Sequence, residues 1–186
     1  TKHWNKRVHP EYIPNVNDKI SKGNKKLHEK GFVVSVLSPK EGIFRGGGRI
    51  IHLGEESSNP IFFGNSIQYM AMESGGWYDD DYPGSLLGSI ALIRQAFYDS
   101  NWYAKAWDIY NKFPKENKRP EIDDALKEIQ RSLTNNTPFC FYTDNERDLE
   151  RVLKLKSEFN FNLWVLGSGY EYRNLRLLDE ASPFFI

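Results

Sequence analysis

The stretch Glu41-Gly42-Ile43-Phe44-Arg45-Gly46-Gly47-Gly48-Arg49 places three successive glycines between two arginines. Bare backbone amides and guanidinium groups together are the donors an anion needs, so Arg45, Gly46 and Gly47 are candidate ligand contacts. The stretch lacks a Lys-Ser or Lys-Thr pair and does not lead into a helix, so it is not a P-loop. A flexible hairpin, whose glycines permit positive φ, accounts for the same residues. Asp79-Asp80-Asp81, framed by Trp77, Tyr78 and Tyr82, offers carboxylates for a hard cation and aromatic faces for a sugar. Its spacing fits no calcium loop, and a solvated acidic loop just before a helix N-terminus explains it better. The four histidines, His3, His9, His28 and His52, form neither an HxH nor an HExxH pair, so no metal ligand set is assigned within the chain. Cys140 sits in an apolar run with no histidine beside it, which reads as a small core residue, and no GxSxG elbow occurs.

These residues are positioned by a chain of alternating elements. Phe32–Leu37 is β-branched and bounded by Gly31 and Pro39, the pattern of a strand covered on both faces. A short exposed helix over residues 17–30 precedes it, closing at Gly31. From Gly42 to about Ala71 short extended pieces, Arg49–Leu53, Pro60–Phe63 and Ile67–Met72, suggest a small antiparallel excursion. After the loop Ser74–Tyr82, Leu86, Leu87, Ile90, Ile93, Phe97 and Trp102 recur at helical spacing into a long helix ending near Phe113. A second amphipathic helix is expected over Glu121–Leu133.

The most regular part follows: strand Pro138–Tyr142, helix Glu146–Phe159, strand Asn162–Leu166, helix Glu171–Asp179 and strand Pro183–Ile186. Such alternation calls for parallel strands with right-handed crossovers, because a tight turn cannot reach a parallel neighbour. The fold class is therefore α/β. In such sheets chemistry sits at the C-terminal strand ends, which selects Tyr142, Thr143, Asp144 and Asn145, then Gly167, Ser168, Gly169, Tyr170 and Glu171.

Lysine plus arginine and aspartate plus glutamate both number 25, with no basic block, so nucleic acid is not an expected partner. No apolar run approaches the ~18 residues of a spanning helix, so membrane insertion is not expected either. One cysteine excludes an internal disulfide. At 186 residues with 39% hydrophobic content, the chain has the size of one domain. The closing Pro183-Phe184-Phe185-Ile186 reads as a strand with an open edge, which predicts self-association detectable by light scattering.

Several strings together resemble a family. Trp4-Asn5 with Val8-His9-Pro10-Glu11, Gly31–Leu37 leading into Gly42–Gly46, and above all Tyr82-Pro83-Gly84-Ser85-Leu86-Leu87-Gly88-Ser89-Ile90-Ala91-Leu92-Ile93-Arg94-Gln95 with Asn101-Trp102-Tyr103 are similar to exported, imidazolonepropionase-related proteins of the amidohydrolase superfamily. The resemblance covers nearly the whole chain. It implies a metal-dependent β/α barrel that hydrolyses non-peptide C–N bonds through a metal-activated water, and a periplasmic or exported location. It further implies that residues 1–186 are one domain, an internal portion of a larger barrel, with an insertion over about 42–134. The expected architecture is thus a partial (β/α) barrel with parallel strands, a small antiparallel insertion and a long helix. The family's metal-ligand histidines would fall near Tyr142 and Leu166, and neither is histidine. A divalent metal such as zinc is therefore implied for the full-length parent, not for this chain, whose isolated form is expected to be inactive. A non-catalytic ligand-binding or scaffolding domain for a small molecule, and a complete small doubly wound protein, are the competing readings.

Overall fold

The computed structural model describes residues 2–15, 25–53, 61–73, 82–176 and 184–186, without the side chains of residues 61–65. Six strands form one mixed sheet in sequence order: β1 (Val34–Leu37), β2 (Phe44–His52), β3 (Ile61–Ala71), β4 (Phe139–Tyr142), β5 (Leu163–Leu166) and β6 (Phe184–Phe185). The pairs β1/β2 and β2/β3 are antiparallel, while β3 through β6 run parallel. The sheet curves into a half-barrel with helices α1 (Leu86–Lys112), α2 (Asp124–Thr134) and α3 (Glu146–Phe159). The antiparallel part is continuous with the parallel part, because β3 belongs to both ladders.

Each of these three helices begins just after a residue suited to capping its N-terminus. Ser85 Oγ accepts from Gly88 N at 3.2 Å, Asp123 Oδ1 from Leu126 N at 3.0 Å, and Asn145 Oδ1 from Asp148 N at 3.1 Å. Asn160 closes α3 at φ 50°, the left-handed conformation that asparagine tolerates. The second helix starts at Asp124 rather than at Glu121, since the Asp123 cap fixes the first turn.

Strand alternation sends Phe139, Phe141, Leu163 and Val165 toward the helices, where all four are buried. Phe97 of α1 sits at the centre, with ring centroids 5.5 Å from Phe44, 5.6 Å from Phe139, 4.8 Å from Phe159 and 5.5 Å from Phe161. The opposite sheet face carries the in-register row Tyr69, Cys140, Trp164 and Phe184. Cys140 is buried as expected, and burial pushes its thiol up to about 11, which leaves it inert at neutral pH.

Two expectations need correction. The Phe32–Leu37 run is not covered on both faces: among the described residues β1 is an edge strand paired only with β2, and Phe32, Val34 and Val36 are exposed. An apolar run does not distinguish an edge from a sheet centre. Gly46, Gly47 and Gly48 form no loop but lie inside β2, the extended pieces having merged into the two long strands β2 and β3. Of the short exposed helix, residues 25–29 are helical and Gly31 follows at φ 92°; residues 16–24 lie outside the described residues. The expected helix at Glu171 opens as a 3-10 turn, Glu171–Asn174, and residues 177–183 are likewise outside the description. So is the Asp79-Asp80-Asp81 loop with Trp77 and Tyr78.

Candidate functional site at the strand ends

The parallel strands β3, β4 and β5 end side by side at Ala71, Tyr142 and Leu166, and antiparallel pairing brings the start of β2 to the same rim. Arg45 stands there. Its Nε donates to Gly42 O at 3.1 Å and its Nη2 to Glu73 Oε2 at 3.4 Å, while the guanidinium lies 5.7 Å from the Tyr142 ring centroid. Glu73, just past β3, also accepts from Gly42 N at 3.1 Å, and its Oε1 lies 3.8 Å from Arg7 Nη1. Neither Glu73 nor Arg7 was selected from sequence. The signal available for Glu73 was its place beyond a strand end, the criterion that did select Tyr142 and Asp144.

The Asp144 carboxylate beside the Tyr142 hydroxyl raises the phenol's pKa above its usual 10.0, with Arg45 opposing the shift. Arg45, Tyr142 and Asp144 are therefore brought together at the rim. Tyr170, exposed beyond β5, carries a second cation–aromatic pair, with the Arg173 guanidinium 4.6 Å from its ring centroid. Between α3 and the strand ends lies a depression of about 610 Å3 lined by Met72, Leu86, Asn145, Arg147, Arg151 and Arg173 among others.

Other selected residues serve the backbone. Buried Thr143 donates from its amide to Leu166 O at 3.1 Å and from Oγ1 to the same oxygen at 3.4 Å, tying the ends of β4 and β5. Ser168 donates to Glu171 Oε1 from its amide at 2.6 Å and from Oγ at 3.0 Å, and Gly169 N donates to Oε2 at 2.9 Å. Burial pulls the Glu171 carboxyl upward, yet hydrogen bonds from Ser168, its own backbone and Gly169 outweigh that and hold it below 4.5. A carboxyl depressed on folding stabilises above its unfolded pKa, and the contribution fades as pH falls through the folded value. We expect Glu171→Gln to lose about 1–3 kcal/mol at neutral pH, by urea unfolding, with the gap to the parent chain narrowing below pH 4.5. A gap that widened on acidification would contradict this assignment.

Gly46 and Gly47 do not face the rim as anion donors. Gly47 N is committed to Tyr12 O at 2.7 Å, and a Cβ on Gly46, at φ 115°, would stand 2.2 Å from that same oxygen. Both glycines admit the N-terminal segment against β2.

The described residues at the strand ends gather no ligand set that fits a divalent metal. Among the described residues no three histidine, cysteine or carboxylate side chains converge. Three carboxylates near the strand ends are already engaged: Glu73 by arginines, Glu171 by amides, and Asp148 by Arg151 at 2.7 Å and Asn145 at 2.8 Å. The histidines lie apart. His3 is buried, with Nδ1 accepting from Asn5 N at 3.1 Å and burial lowering its pKa, and His52 ends β2 at the opposite end of the sheet.

The sheet and its helices form an α/β half-barrel. The chain superposes on an amidohydrolase from Thermotoga maritima MSB8 with a TM-score of 0.75 at 17% identity, covering 98% of this chain and 50% of that one. The chain thus spans half the length of this structural neighbour. No protein-family model and no curated protein matches the sequence.

Proposed function

We propose that this chain is the ligand-holding half of an amidohydrolase-like barrel and that its strand-end rim binds a small molecule bearing a carbonyl or carboxylate. The observation that carries this reading is Arg45, fixed by Glu73 and Gly42 over the Tyr142 ring. A guanidinium so held presents its remaining N–H groups without further loss of side-chain freedom. The coverage of half the neighbour supports a larger parent, and the Tyr82–Gln95 resemblance supports an exported, imidazolonepropionase-related, metal-dependent hydrolase of non-peptide C–N bonds. In that reading any metal is held by parts of the parent other than this half, and the isolated chain turns nothing over. A non-catalytic binding or scaffolding domain is the second reading, favoured by the engagement of Glu73, Asp148 and Glu171 with arginines and amides.

The test uses the full-length polypeptide with zinc or manganese against amides and lactams. Metal-stimulated turnover is expected, with Arg45→Met raising KM about tenfold or more. Saturable binding without turnover selects the scaffold reading. Turnover or binding indifferent to Arg45→Met removes the rim from both. The exposed Phe184, Phe185 and Ile186 and the exposed β1 edge also support self-association of the isolated chain, which a strictly monomeric light-scattering profile at high concentration would contradict.

A further inference from the structure

Away from the rim, α1 and α2 bound a groove of about 520 Å3, a volume typical of small-molecule sites. The groove borders Asn135, the C-cap of α2, and so lies toward the N-terminal ends of the parallel strands, opposite the rim. Tyr103 and Trp107 form one wall with rings edge to face at 6.1 Å, and the Arg119 guanidinium lies 5.6 Å from the Trp107 ring. Ile122, Lys127 and Gln130 face them.

Two atoms set this groove apart from an ordinary surface furrow. Trp107 Nε1 and Gln130 Oε1 are both shielded from solvent, and among the described residues neither has a hydrogen-bond partner. A buried donor and a buried acceptor left unmade are each unfavourable, so a guest that reaches them gains what folding left unsatisfied. A half-turn of the Gln130 amide presents either an acceptor or a donor. Exposed Lys127 stands at the edge, and among the described residues it makes no ion pair.

From these we infer that the α1–α2 groove is a second small-molecule site, for a carboxylate that carries an amide and a flat apolar group. The apolar group lies against Tyr103 and Ile122, the amide carbonyl accepts from Trp107 Nε1–H, the amide N–H meets Gln130, and the carboxylate meets Lys127. Access to the two shielded atoms requires a side-chain rotation at the groove floor. The site is independent of the reading proposed for the rim.

The probe is N-acetyl-L-phenylalanine, titrated into the 15N-labelled chain, with the Trp107 indole resonance assigned through Trp107→Phe. A saturable shift of that resonance at millimolar probe is expected. Affinity should fall about tenfold with Lys127→Ala, and about tenfold for N-acetylphenethylamine, which lacks the carboxylate. Arg45→Met should leave it unchanged. A stationary Trp107 resonance, or binding indifferent to Lys127 and to the carboxylate, would overturn the inference. Binding lost in Arg45→Met would also overturn it, by placing the probe at the rim.

Discussion

Gly46→Ala is expected to destabilise the chain by about 3 kcal/mol or more, read as the shift of the urea unfolding transition. Two independent effects act at this position. The residue sits at φ 115°, which side chains other than hydrogen adopt only under strain, and its added Cβ would meet Tyr12 O at 2.2 Å, His9 O at 3.0 Å and Tyr12 C at 3.0 Å. All three neighbours are backbone atoms, so no rotamer change relieves the contact. Relief requires the N-terminal segment to move off β2. That would break the Gly47 N to Tyr12 O bond and strain the His9 N to Phe44 O bond, at 2.7 and 2.8 Å. Gly31→Ala provides the control, because Gly31 shares the positive φ, at 92°, but among the described residues nothing lies within 4 Å of an added Cβ. It should lose only about 1 kcal/mol. Equal losses at the two positions would show that the close approach of residues 9–12 to β2 is wrong.

Phe97→Ala should be comparably severe, about 3–5 kcal/mol, since it empties the point where α1 meets two strands, the end of α3 and the segment leading into β5. Phe97 is fully buried, and its ring packs on those of Phe44, Phe139, Phe159 and Phe161, so the cavity is bordered by side chains from separate elements. Rigid strands on one side limit collapse into the space, which places the loss toward the upper part of the range. Leu87 lies on the same helix but is 77% exposed, and Leu87→Ala should stay within about 0.5 kcal/mol. A small loss at Phe97 would mean that α1 does not pack on the sheet as described.

The unit from β4 to β5 could be read from the sequence because local and tertiary signals coincide there. Asn145 caps the helix that its successors form, Asn160 ends it, and the flanking apolar runs are short enough to be strands. The expected span Glu146–Phe159 is the observed one. Strands β2 and β3 were less legible, since Gly46–Gly48 and Gly64-Asn65-Ser66 interrupt their hydrophobic pattern. In β2 the glycines serve close backbone approach, a requirement visible only once residues 9–12 are placed beside them. At the rim, the topology rule placed Tyr142, Asp144 and Tyr170, and Arg45 was found through its glycine context although the glycines themselves do other work. Glu73 and Arg7 escaped because their meeting depends on the N-terminal segment folding across β2, which no local pattern encodes. Ser168 and Glu171 stand beyond the end of β5, where they form a polar backbone cap whose chemistry is turned inward.

The central proposal, that the chain holds a ligand at the rim through Arg45 and gathers no metal site at its strand ends, is tested most directly by elemental analysis. The purified chain would be exposed to zinc, manganese and iron and then freed of unbound ions. The residues at the strand ends predict metal far below one ion per chain, because Glu73, Asp148 and Glu171 are held by arginines and amides. One tightly bound ion per chain, lost when Glu73 is replaced by Gln, would contradict the account and make the strand-end rim a metal site.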